Sequence, residues 1–175
     1  MSRKLDYVVS GTSYMRFSNP GIAKDETNSS IINMLIDKLV TDVHSHKFSM
    51  LYNGHTESSF GDRFSVYKPH VNEIHADSGG LQIVTQGMTI TDELKDKVYE
   101  NQAQWADVGM CFDEIPVVLT GDRSDRNDTK ARFFDFENYE ELARKTGRNV
   151  KRQLEIFDKA NSKCKPYIIL QGNCV

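Results

Sequence analysis

At 175 residues, with 38% hydrophobic and 10% aromatic side chains, the chain has the size of one domain and enough apolar surface for a core, which excludes a disordered or collagen-like polymer. A formal net charge of −3 carries no overall signature of nucleic-acid binding, so such binding needs a local basic patch. Cys111, Cys164 and Cys174 are odd in number and lack a C-x-x-C spacing, which speaks against a disulfide framework or a zinc site, and no apolar run resembles a signal peptide or the roughly 20 residues of a membrane span. The expected setting is the cytoplasm, with no membrane partner.

Taken in chain order, Leu5–Gly11 reads as an opening strand, followed by a polar connection through Asn19-Pro20-Gly21. From an N-cap at Thr27 or Asn28, Ile31, Leu35 and Leu39 recur at helical spacing and predict a core-facing helix ending near Val40 or Asp42. Phe48–Tyr52 is a strand closed by Asn53-Gly54. Val71–Ala76 is another, running into Asp77-Ser78-Gly79-Gly80-Leu81-Gln82, where a carboxylate and two glycines open a loop that a ligand can approach closely.

Thr91 is the expected N-cap of the next helix, with Asp92 and Glu93 in its first turn and Leu94, Val98 and Trp105 along one face. Ala106–Phe112 is a short buried strand that ends on Asp113-Glu114. The polar segment of about residues 120–132 is expected to be an exposed loop or lid. A long helix over Glu137–Ala160 has a possible break at Gly147 and an inner stripe of Val150, Leu154 and Phe157. Arg144, Lys145, Arg148, Lys151 and Arg152 gather toward its outside. Pro166–Leu170 is a last apolar strand, ending on Gln171-Gly172-Asn173.

Alternation of strands and helices predicts an α/β class with a parallel sheet. Three strand ends carrying Asp77, Asp113 and Gln171 suit a (β/α) barrel, whose sites lie at the C-terminal ends of its strands. A closed barrel needs eight strands and about 250 residues. The expectation is therefore one domain over residues 1–175 forming an incomplete (β/α)8 TIM barrel, its N-terminal four to five strands with intervening helices.

Two carboxylates and a Gln-Gly pair at one barrel mouth suit a guanine-like base. Its N1–H and exocyclic amine are adjacent donors for one carboxylate, while an amide and a backbone N–H can donate to O6 or N7. The bland alternative is that each residue only caps a strand.

The motifs Asp77-Ser78-Gly79-Gly80-Leu81-Gln82, Met110-Cys111-Phe112-Asp113-Glu114-Ile115-Pro116 and Ile169-Leu170-Gln171-Gly172 resemble, in order and approximate spacing, those of the tRNA-guanine transglycosylase superfamily. The resemblance spans about residues 50–172. It implies a TIM-barrel transferase that exchanges guanine for a 7-deazaguanine in tRNA, as in queuosine formation, or in DNA in a phage and bacterial branch; a phage enzyme would work in the host cytoplasm. It implies that Asp77 is the catalytic acid/base and that Ser78, Gly79, Gly80 and Gln82 shape the pocket. Asp113 would read the donor edge of the base, and Gln171 with Gly172 its carbonyl.

Two departures, Leu81 in place of an aromatic residue and Ile115 in place of a cysteine, suggest a divergent member and favour the DNA branch. The family's nucleophilic aspartate and its zinc site belong to a second half with no counterpart in these residues. The resemblance therefore implies no cofactor here, no turnover by the chain alone, and a complementary C-terminal half or a homodimer as partner.

Other readings stay open. Asp42-Val43-His44-Ser45-His46 has the D-x-H-x-H form of metal-dependent barrel hydrolases, against a solvated helix end that carries histidines. The Arg144–Arg152 cluster either tracks phosphates or is a solvated face balanced by glutamates. The chain could also be a non-catalytic binding or subunit module.

Overall fold

The computed structural model describes residues 8–10, 49–56, 68, 71–112, 114, 117–120, 130–133 and 139–169. The helix expected over 27–42 and the Asp42, His44 and His46 group lie outside these residues. So do Asp113, Gln171 and Gly172.

Five short strands form an all-parallel sheet: β1 (Val8–Ser10), β2 (Ser49–Asn53), β3 (Ile74–Asp77), β4 (Val108–Met110) and β7 (Lys165–Tyr167). Their order across the sheet is β1-β2-β3-β4-β7, so each strand lies beside its predecessor in the chain. The protein is α/β. Between β4 and β7 the chain adds an antiparallel pair, β5 (Val117–Thr120) with β6 (Lys130–Phe133), in register from Val117↔Phe133 to Thr120↔Lys130. Thr120 and Lys130–Arg132, at the two ends of the loop expected over about 120–132, are strand, their backbone groups satisfied in that ladder, while residues 121–129 lie outside the described residues.

Helix α1 (Gly80–Thr85) starts inside the double-glycine motif, where a loop is expected from the sequence. The Ser78 hydroxyl accepts from the Gly80 N–H at 3.3 Å and supplies a cap. Helix α2 (Asp92–Trp105) begins as expected. Thr91 is the N-cap, its hydroxyl accepting from the Leu94 N–H, and Asp92 and Glu93 occupy the first turn.

Helix α3 (Tyr139–Lys159) runs unbroken through Gly147. A side chain at that position would meet nothing within 4 Å, so the glycine faces open space and does not mark a bend. The inner stripe differs from the expected one. Asn149, Gln153 and Phe157 are buried, whereas Leu154 is 41% exposed. The spacing of four residues puts 149, 153 and 157 on one face, and the sheet beneath demands hydrogen-bond donors there.

Side chains alternate across the sheet. Met50, Tyr52, Ile74 and Ala76 form one core cluster against Trp105 and Ala106 of α2, and the Tyr52 hydroxyl donates to Asn101 at 2.6 Å. Ile83, Val98, Tyr99, Phe112, Phe157 and Cys164 form a second cluster that joins α2 to α3. Both long helices press on the sheet at Gly109, where a Cβ would lie 2.8 Å from Gln102 Oε1 and 2.9 Å from Phe157 Cζ.

Two buried glutamines stitch helices to strands. Gln102 Nε2 donates to the carbonyls of Ala76 (3.3 Å) and Met110 (2.9 Å), and Gln153 Nε2 donates to Gly109 O (3.0 Å) and Gln102 Oε1 (2.9 Å). Among the described residues, no helix is long and apolar enough to cross a membrane.

Candidate functional site

Because the five strands are parallel, their C-terminal ends lie along one edge of the sheet. Asp77 is the last residue of β3 and pairs in register with Asn53, the last of β2. Since Ala76 and Tyr52 face α2, alternation puts Asp77 and Asn53 on the opposite face, side by side at the strand ends.

The loops that follow are locked together. The Gly54 N–H donates to Asp77 O at 2.9 Å. Asn53 Oδ1 accepts from the N–H groups of His55 (3.0 Å) and Thr56 (2.9 Å), a turn closed by its own side chain. Gly79 adopts φ +75°, and a Cβ there would fall 2.6 Å from Asn53 Oδ1 and 2.9 Å from His55 Cβ. The glycine thus serves both a left-handed turn and a close approach. Ser78 is buried beneath this clasp, while Leu81 and Gln82 are exposed on α1.

Of the expected recognition residues, the structure brings Asp77, Ser78, Gly79 and Gly80 together at the β3 end. Asp113 falls between two well-held neighbours. Phe112 is buried, and its N–H donates to the Tyr99 hydroxyl at 3.1 Å. Its carbonyl accepts from Asn149 Nδ2 at 2.9 Å, and the same amide donates to Glu114 Oε1 at 3.1 Å. The Glu114 N–H donates to Thr146 Oγ1 at 3.0 Å. Lys95 completes the group, donating to Asn149 Oδ1 at 2.7 Å with Glu114 Oε1 at 3.7 Å. Burial pushes the Tyr99 phenol well above its usual range, so it stays a neutral hydroxyl.

Reading the sequence missed Lys95, Asn149 and Gln153. The available signal was a polar pair four residues apart, in line with Phe157, on a helix whose remaining apolar residues are sparse.

The basic cluster on α3 is laced with carboxylates. Arg144 pairs with Glu140 (3.1 Å), Arg148 with Glu141 (2.8 Å) and Lys151 with Glu155 (3.9 Å). Arg152 grips both oxygens of Asp96 and reaches Asp92 at 3.2 Å, which holds the Asp96 carboxyl below its ordinary range. Lys145, Arg148, Lys151 and Arg152 line a cleft of about 600 Å³ between α2 and α3, whose inner wall includes Lys95, Glu114 and Asn149.

On the sheet face shared with Asp77, Glu73 receives Lys165 Nζ at 2.8 Å on one oxygen and meets His75 Nε2 at 3.2 Å on the other. His75 in turn stands edge-on to Tyr167, with ring centroids 6.3 Å apart. The Lys165 hydrogen bond holds Glu73 below the usual carboxylate range, outweighing the opposing effect of burial. A depressed folded pKa contributes stability above the unfolded value near 4.5 and loses it as pH falls through the folded value. Glu73→Gln is therefore expected to cost about 1 kcal/mol at pH 7, scaled down for partial exposure. The difference should shrink as pH falls through the lowered folded value, as measured by urea unfolding at pH 7 and in acid.

Burial pushes the Cys164 thiol up to about 12, so it is protonated and inert at neutral pH, and Cys111 is buried as well. Among the described residues, no three His, Cys, Asp or Glu side chains gather as a metal site.

No family model, curated protein or solved structure matches the chain. The functional reading consequently rests on the residues at the strand ends.

Proposed function

We propose that this chain carries the base-recognition and proton-transfer side of a nucleic-acid guanine transglycosylase built on a (β/α)8 TIM barrel. The observation that carries the reading is the placement of Asp77. It ends the third of the five described parallel strands, beside Asn53 and ahead of a tight glycine clasp in which Gly79 packs against Asn53 and His55. Barrels place their chemistry at such ends.

In this reading Asp113 accepts the N1–H and exocyclic amine of guanine or a 7-deazaguanine. Asp77 takes or returns the proton that leaves or joins the base, and Ser78, Gly79, Gly80, Gln82, Gln171 and Gly172 complete the pocket. Exchange at the anomeric carbon of tRNA or DNA also requires a nucleophilic carboxylate. In this reading none of the residues named above supplies that nucleophile, so they bind the base and handle its proton without attacking the sugar.

Equilibrium dialysis with labelled guanine and adenine tests the proposal. The chain should retain guanine preferentially, and Asp113→Asn should reduce the preference about tenfold or more, the scale of one bidentate base contact. Equal retention of both purines, or an Asp113→Asn variant that discriminates as well as wild type, would sink the assignment. Base exchange into tRNA or DNA by the chain would show that one of its own residues supplies the nucleophile.

A second reading, a docking module without catalysis, is favoured by exposure at the end of β7, where Tyr167 is 48% and the following Ile168 54% exposed. Retention of neither purine, together with copurification of a partner through this edge, would support it.

A further inference from the structure

The cleft between α2 and α3 is lined by five cations and three carboxylates, with Ile90 the one apolar side chain among its described lining residues. A wall of that kind suits a charged ligand and not the apolar face of a partner helix. What it can offer depends on which cations are already committed.

Two of them are. Arg152 is held by both oxygens of Asp96 and by Asp92, and Lys95 donates to Asn149 Oδ1 beside Glu114. The other three are held loosely. Arg148 meets Glu141 at 2.8 Å and Lys151 meets Glu155 at 3.9 Å, in pairs whose side chains are 48–80% exposed. Water screens such pairs, so either cation can exchange its carboxylate for a more highly charged anion. Lys145 bonds to no carboxylate among the described residues and acts on Glu141 through space alone.

The place of these three cations matters as much as their freedom. Because β3, β4 and β7 are parallel, α2 and α3 each return the chain from strand ends to strand starts. Asp92, the first residue of α2, and Glu114, just past the end of β4, both line the cleft. It therefore lies at the end of the sheet where Asp77 stands, on the helix side of the rim. A polynucleotide whose base enters at the strand ends has to carry its phosphates across that rim.

The dimensions agree. Lys145, Arg148 and Lys151 follow at steps of three residues, which makes a stripe about 9 Å long. At roughly 3.4 Å per phosphate along one strand, the stripe faces about two to three phosphates. The planar fork of Arg148 fits a pair of phosphate oxygens, and the two lysines flank it as point charges.

We infer that the α2–α3 cleft is a phosphate-binding site for the backbone of the substrate nucleic acid, with Lys145, Arg148 and Lys151 as its donors; this deepens the guanine reading above and rests on it. It also supplies the local basic patch that a chain of net charge −3 requires.

Fluorescence anisotropy of a labelled, guanine-containing single-stranded oligonucleotide, titrated with the full chain over about 20–200 mM salt, tests the site. Dialysis with free guanine, which carries no phosphate, runs beside it. The double variant Lys145→Gln with Arg148→Gln should bind the oligonucleotide about tenfold or more weakly at low salt, and its slope of log affinity against log salt should flatten by about 1.4, the share of two phosphates. Its retention of free guanine should match wild type. Lys159→Gln with Lys163→Gln removes the same charge at the far end of α3, outside the cleft, and should change the oligonucleotide affinity less than about twofold. All four positions are exposed, so neither double variant disturbs the core.

Equal weakening by the two double variants, an unchanged salt slope, or a wild-type chain that binds pyrophosphate but no oligonucleotide overturns the inference and leaves the guanine reading intact. A wild-type chain that retains neither purine in dialysis overturns the functional reading, and with it the assignment of the cleft to a substrate strand, a failure seen without any variant.

Discussion

Gly79→Ala should lower the unfolding free energy by about 2–4 kcal/mol and weaken guanine retention at least tenfold. The left-handed backbone at φ +75° costs a Cβ-bearing residue roughly 1–2 kcal/mol by itself. The rest comes from contact. The new methyl would lie 2.6 Å from Asn53 Oδ1, and that oxygen cannot swing away without releasing the N–H groups of His55 and Thr56 that it accepts. Forced insertion of this kind costs about 1–3 kcal/mol. The strain is relieved most readily by parting the two loops, which moves the Asp77 end of β3 from its Asn53 neighbour. Urea unfolding and dialysis measure the two effects separately. A stable variant with wild-type retention would show that the clasp does not set the site.

Gln102→Leu is expected to cost about 2–4 kcal/mol although it preserves volume and adds apolar surface. The substitution takes the Gln102 donor from the carbonyls of Ala76 and Met110 and takes from Gln153 Nε2 one of its two acceptors. A buried polar group left without its partner costs about 1–3 kcal/mol, and here several lose partners together. Gln153 Oε1 already lacks a partner, so the amide pair has no spare acceptor with which to compensate. The double variant Gln102→Leu with Gln153→Leu should cost less than the sum of the single changes, because the two amides share one hydrogen bond. Strict additivity in thermal or urea unfolding would show that the glutamines act independently.

Much of the frame was legible because its signals are local. The Thr91 cap and the two acidic residues behind it announce α2, and Asn53-Gly54 announces the end of β2. The apolar runs before Asp77 and before Asp113 mark β3 and β4, although each observed strand is shorter than its apolar run. What could not be read was set by tertiary demand.

Leu154 looked like an inner residue because the hydrophobic stripe is the usual sign of an inner face. The sheet edge beneath α3, however, presents carbonyls at Gly109 and Phe112 that need donors, so Asn149 and Gln153 turn inward and Leu154 turns out. The same limit applies to the site. Asp77 and its glycines stand out as a motif, whereas Lys95, 18 residues beyond Asp77, and Asn149, a further 54 residues along, become visible only when two helices converge on one loop.

The chain-ordered sheet bears on how the protein is made. Every strand of the parallel sheet pairs with the strand synthesised before it, so no strand waits for a partner from farther along the chain. Growth from the ribosome is slow relative to hairpin and helix formation. Each emerging strand therefore meets an edge that is already laid down. Strand orders that place the first element in the middle of a sheet lack this property. It shortens the time during which an unpaired edge is open to aggregation.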